Sequence, residues 1–240
     1  MTVLAVFDTI WEFLVSGGIF MAFIGAASFV ALAVAIHVAI SLRKKVVIPN
    51  KTEQEIKRSE LHFRAEKAAA LKGHLDQDLS TLGKIGAIAI SDKFSDREEA
   101  TQAVEANARE EVVKLQGGMG VLEVVITIAP LLGLLGTVSG LVNVFSTLGD
   151  SGDAAADPSR LAAGIAIALN TTIAGLVVAI LTVIVHSIFT RKIEALAARL
   201  EVLAADLVHS FYKNGGPYLY SAGPLIAEEV TEKSDDQFLS

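Results

Sequence analysis

Residues 129–145 read APLLGLLGTVSGLVNVF. The stretch is uncharged, opens on Pro130, carries glycines at Gly133, Gly136 and Gly140, and holds a lone Thr137. Small residues let helix backbones approach closely, and Gly136-x-x-x-Gly140 has the spacing of a membrane packing face. A hydroxyl in hydrocarbon needs a partner helix or a wet path. The stretch therefore reads as a helix inside a membrane bundle rather than a plain anchor. Residues 161–190 have the same character, being free of acid and of Lys or Arg while carrying Asn170, Thr171, Thr172 and Gly175.

Outward from these two stretches, the bulk properties agree with a membrane protein. Of 240 residues, 52% are apolar but only 6% aromatic, and the mean hydropathy of +0.53 comes from blocks rather than from an even spread. The formal net charge of −7 offers no basic footprint for nucleic acid. The absence of cysteine removes disulfides, thiolate metal sites and cysteine nucleophiles. Met1 is followed by Asp8 and Glu12 rather than by a basic segment, so a cleaved signal peptide is not expected.

Three runs without formal charge can cross about 30 Å of hydrocarbon, which takes roughly 20 helical residues. They predict an all-α integral membrane protein: a first span at 17–42, a second within 119–148 and a third at 161–190, with long helical extensions. Arg43, Lys44, Lys45 and Lys51 follow the first span and Arg191 and Lys192 the third, whereas the connection at 149–160 holds Asp150, Asp153 and Asp157 against Arg160 alone. Basic flanks mark the cytoplasmic side. The expected arrangement is a periplasmic N-terminus (1–16), a cytoplasmic insert (43–118), a short periplasmic loop (149–160), a cytoplasmic extension of the third span (191–214) and a flexible tail (215–240).

The insert is nearly neutral, with fourteen basic and thirteen acidic residues. Thr52 with Glu55, and Ser95 with Glu98, have the spacing of capping boxes. Glu53–Lys57 and Glu60–Arg64 are spaced for pairing along a helix. Residues 79–90 are apolar enough to pack on neighbours, and the whole reads as a solvated helical hairpin extending from the membrane. Beyond the third span, Ile193, Leu196, Leu200, Leu203, Leu207 and Phe211 recur every three or four residues, an amphipathic helix stopped by Gly215-Gly216-Pro217.

No phosphate-binding glycine loop or nucleophile elbow is present, and the five histidines show no ligand spacing, so neither enzymatic chemistry nor a cofactor or metal is expected. The signal lies in the polar residues of the second and third spans. Thr172, Ala179, His186 and Thr190 share one helical face with Gly175 nearby, either lining a narrow polar path or bonding between helices at about 1 kcal/mol or less per contact. No span contains an acid within it, Glu123 standing at the edge of the second. Threonine does not exchange protons at physiological pH, so a proton path here needs a carboxylate from a partner helix.

The second span, together with LAAGIAIALNTTIAGLVVAI from Leu161, resembles the MotA/TolQ/ExbB proton-channel family, and within it the ExbB/TolQ branch. That branch carries AP-hydrophobic-GL-x-GTV-x-G followed by LA-x-GI-x-x-AL-x-x-T-x-x-GL-x-x-AI, and both halves match in order and spacing. The resemblance implies a homopentamer in the bacterial inner membrane, whose second and third spans surround a single-span partner of the ExbD/TolR type bearing a membrane aspartate. Proton flow then drives a TonB-like protein acting on outer-membrane transport. By matching position it assigns pore threonines to Thr137 and Thr172 and the proline at the start of the pore segment to Pro130. Thr171 and Asn170 add polarity beside them on the path, and Gly133, Gly136, Gly140 and Gly175, with Pro130, are the pore-helix packing residues that the small-residue spacing suggests. The branch commonly has a glutamate where this chain has Ile167, which leaves the partner to supply the intramembrane acid. The alternatives are a stator subunit of a flagellar or gliding motor and a non-conducting membrane scaffold.

Overall fold

The computed structural model describes residues 18–64, 67–150 and 158–221. The expected N-terminal segment, most of the 149–160 loop and the tail beyond 221 lie outside them. All regular structure among the described residues is helical. In chain order the helices are α1 (Gly18–Ser41), α2 (Lys44–Val47), α3 (Asn50–Lys57), α4 (Ser59–Arg64), α5 (Ala68–Gln77), α6 (Thr81–Ala89), α7 (Arg97–Leu115), α8 (Met119–Asp150), α9 (Pro158–Lys213) and α10 (Tyr218–Ser221). Three of them, α1, α8 and α9, are long and apolar enough to cross a membrane. The chain forms two compact units, one of 1–40 with 116–191 and the other of 41–115 with 192–240.

In the first unit, α1 buries Met21, Ile24, Ala31 and Val38, spaced three and seven residues apart on one face. Most of its other large side chains, Phe23, Phe29, Leu32 and Ile36 among them, are exposed, and an apolar exterior is what a helix in hydrocarbon presents. Gly118, ahead of α8, has φ +90, and a Cβ there would lie 3.0 Å from Val34 and 3.2 Å from Val38. Both the backbone angle and the space therefore require glycine at this junction.

The second unit corrects the hairpin expectation. Among the described residues the insert folds as six helices, α2 to α7, because apolar residues on each short helix need a common core. Ile48, Ile56, Phe63, Leu75, Leu82 and Ile85 are all 2% exposed or less. The Lys192–Lys213 part of α9 supplies the apolar stripe, with Leu200, Leu203, Leu207 and Phe211 buried and Leu196 half-buried. Phe211 stacks against Phe63 at 5.5 Å and Tyr220 at 5.7 Å. Helix α9 ends at Lys213, and Gly215 and Gly216 follow with φ of 119 and 58.

Both expected capping boxes are also displaced. Pro49, not Thr52, precedes the first turn of α3, and Thr52 donates its hydroxyl to Asp78 instead. At α7 the cap is Asp96, whose Oδ1 accepts from Glu99 N at 2.8 Å, one residue beyond the expected Ser95. In each case a competing hydrogen bond satisfies the same helix end or the same hydroxyl. Glu53 pairs with Lys57 at 2.9 Å as its spacing predicts, but it also receives Arg199 of α9 and lies 3.7 Å from Lys44.

Glu53 is thereby the polar hinge-pin of this unit. Its side chain is 6% exposed, and the Arg199 hydrogen bond, then that of Lys57, hold its carboxyl down at about 2. A lowered folded-state value means that the stabilisation is complete above the ordinary 4.5 and disappears as pH falls toward about 2. Replacing Glu53 by Gln is expected to remove a charged hydrogen bond worth about 1.5–3 kcal/mol. Amide exchange in α3 should then accelerate about 10- to 100-fold at neutral pH. The two proteins should converge near pH 2. Equal exchange at pH 7 would show that the cluster contributes nothing.

Candidate functional site

The site is built where α8 and α9 pack antiparallel within the first unit. Four small residues of α8 face α9 at steps of three and four: Ala129, Gly133, Gly136 and Gly140. A Cβ at Gly133 would lie 2.8 Å from the Thr171 carbonyl and 2.9 Å from Thr172 Cα, and one at Gly136 only 2.6 Å from Thr171 Oγ1. At Gly140 it would meet Ala168 Cβ at 2.9 Å. From the other helix, a Cβ on Gly175 would strike the Ala129 carbonyl, and one on Gly164 would strike Val144. The backbones therefore touch through glycine, so that each side chain between them is fixed by close contact.

The hydroxyls bond into this seam. Thr171 Oγ1 donates to Ala168 O at 2.7 Å and lies 3.2 Å from Gly133 O; Thr172 Oγ1 donates to Gly133 O at 3.1 Å. Thr137, one turn beyond Gly133, donates to Leu134 O at 2.7 Å. Each donor is used on a backbone carbonyl, which leaves the oxygen lone pairs as acceptors. Thr171 is 2% exposed and Thr137 9%, while Thr172 and Asn170 are half-buried. The buried stripe of α9 runs through Ala168, Thr171, Gly175, Ala179 and Thr182, so it centres on Thr171, with Thr172 at its edge. Asn170 sits about 100° around the helix from Thr171.

Pro130 lies inside α8, where it has no N–H to give to the Ile126 carbonyl. An open cavity of about 470 Å³ is bordered by Ser139, Asn143, Ser146, Ile167 and Thr171 together with the first turn of α1. Ile167 is 42% exposed and borders this cavity, whose lining is mixed polar and apolar. At the other end of the pair, Leu122, Val178, Thr182 and Val185 enclose an apolar cavity of about 180 Å³ with Ala31 and Ala35 of α1. The reading of the residues did not reach the Gly164–Val144 and Ala129–Gly175 contacts, because alanine and valine in an apolar run carry no signal of which neighbour they meet.

Glycine-to-backbone packing and bonded hydroxyls, on two adjacent spans of three, coincide with a family match over residues 51–202 to the MotA/TolQ/ExbB proton channel family. The chain belongs to that family. An ExbB homolog from Methanothermobacter thermautotrophicus is 32% identical over 82% of this chain and 68% of its own length. The biopolymer transport protein ExbB of Xanthomonas campestris pv. campestris is 32% identical over 62% of this chain and 55% of that protein. The ExbB of Salmonella typhimurium is 38% identical over 38% of this chain and 36% of that protein. With its three candidate spans, this member of the MotA/TolQ/ExbB family is a multi-pass membrane protein.

Proposed function

We propose that this chain is the proton-channel subunit of an inner-membrane energy-transducing motor of the ExbB type. It works as a homopentamer around an ExbD/TolR-like single-span partner that carries a membrane aspartate, and it drives a TonB-like protein engaged in outer-membrane transport. Its N-terminus faces the periplasm and its C-terminus the cytoplasm, as the basic residues after α1 and at 191–192 favour. The observation that carries the reading is the hydroxyl-bearing α8–α9 seam in a protein of this family whose spans hold no acid at mid-depth. A carboxylate brought by the partner donates to the Thr137 and Thr172 oxygens when protonated; when charged it accepts from their hydroxyls, which turn to it from the Leu134 and Gly133 carbonyls.

A second reading, the non-conducting scaffold, draws on the same seam, since Thr171 and Thr172 already bond the two helices together. Proteoliposomes separate the two. The chain purified with its single-span partner is expected to pass protons down an imposed gradient, and the chain with the partner's aspartate changed to asparagine to pass none. No flux from either preparation would remove the motor reading and leave the scaffold, and equal flux from both would remove the partner's aspartate from the path.

A further inference from the structure

The three spanning helices hold one close imidazole–carboxylate pair among the described residues: His186 Nε2 of α9 lies 3.3 Å from Glu123 Oε1 of α8. Their titratable and charged groups otherwise are His37 on α1, Asp150 on α8, and Arg160 and Arg191 on α9 up to the unit boundary. Asp150 is 27 residues from Glu123, about 40 Å along a helix. His37 and Arg191 are exposed. His186 therefore faces Glu123 from α8, while the α1 residues beside Leu122 and Val185, which are Ser28, Ala31, Leu32 and Ala35, include no titratable group.

The pair is also placed differently at its two members. The His186 side chain is 23% exposed, and that of Glu123 is 67% exposed. His186 continues the buried stripe of α9, Thr171, Gly175, Ala179 and Thr182, in steps of three and four residues. The Thr190 hydroxyl caps its carbonyl at 3.0 Å, and the Thr127 hydroxyl does the same for Glu123 at 3.0 Å. One group thus sits on the seam and its partner stands in the open.

We propose that His186 and Glu123 form a proton-exchange pair where the α8–α9 seam opens to water, at the end flanked by Arg191. This rests on the proton-channel reading above. Histidine is the side chain that loads and unloads protons between pH 5 and 8. A proton taken up at Nδ1 is matched by release of the Nε2 proton to the Glu123 carboxylate, and Glu123 passes it to water. The carboxylate is regenerated, the imidazole stays neutral overall, and a turn of the ring brings its N–H back to Glu123, so the next proton enters at the freed nitrogen and no further reactant is consumed.

The test uses the complex purified from its own membrane and reconstituted into vesicles, with each variant checked for intact assembly. His186→Ala and His186→Gln are each expected to lower proton flux at least about tenfold, within the range of a single proton-transfer group. Free imidazole should restore flux to His186→Ala, an effect that a packing role does not produce. Glu123→Gln should lower flux, and combining it with His186→Gln should add nothing, as for two members of one relay. Parental flux in His186→Gln, or a loss in His186→Ala that imidazole leaves unchanged, would overturn the pair. Absence of proton flux from the parental complex itself, at any pH gradient, would instead overturn the channel reading on which the pair rests.

Discussion

A complex carrying Thr137→Val and Thr172→Val is expected to assemble at parental yield and to have lost proton-driven work. Two magnitudes decide between those outcomes. A hydroxyl bond between membrane helices contributes on average about 0.6 kcal/mol. Removing the Thr172 bond to Gly133 O therefore leaves the glycine contacts of the seam to hold α8 and α9 together. Thr137 bonds only within its own helix, to Leu134 O, so its loss costs the pairing still less. For a carboxylate inside hydrocarbon the balance is different, because each charge-assisted hydrogen bond is worth about 1.5–3 kcal/mol. Losing two raises the barrier by about 3–6 kcal/mol, or roughly 10²- to 10⁴-fold in rate. Flux under an imposed pH gradient, with size-exclusion of the same preparation, checks both halves. Intact assembly with parental flux would deny the two hydroxyls any part in conduction.

Gly175→Val is expected to have the opposite signature, with the helix pair failing before any transport can be measured. A Cβ at this position strikes the Ala129 carbonyl and lies 3.2 Å from Gly133 Cα. Both neighbours are backbone, so no side-chain rotation relieves the contact and the helices must separate. Overpacking of a tight contact costs about 1–3 kcal/mol, occasionally more. Separation here also strains the Gly133 contacts with Thr171 and Thr172. Gly120→Val, on the facing helix α8 and with open space around it, is the control and should be close to neutral. The readout is the fraction of assembled protein surviving a heat step in detergent. Equal survival of the two variants would refute the register in which Ala129 meets Gly175.

The two spans that carry the site were legible because their information is compositional. Uncharged length sets a span, and glycine at steps of three and four sets a packing face, whatever the partner. The same logic found the α9 stripe from Ile193 to Phe211, whose apolar period persists to the glycines that stop it. The insert was less legible because its short helices are defined by one another. Thr52 looks like a cap only until Asp78, 26 residues away, takes its hydroxyl. Glu53 looks like half of a local pair until Arg199, 146 residues away, reaches it. Within the site, period alone identified the polar face of α9 but not which threonine centres it. Thr171 and Thr172 differ by about 100° of rotation, and only the position of Gly133 and Gly136 distinguishes them.

Pro130 gives α8 a joint. The ladder of backbone bonds that makes a helix a stiff rod lacks one rung at that point, and the Ile126 oxygen has no proline N–H to grip. Bending there breaks nothing further, whereas bending one turn later would pull Gly133 off the two threonines that anchor to its oxygen. A cycle that needs α8 to flex has a single cheap place to do so. That place lies between the charged end at Glu123 and the clamped glycine seam, so one end can tilt without dragging the other along.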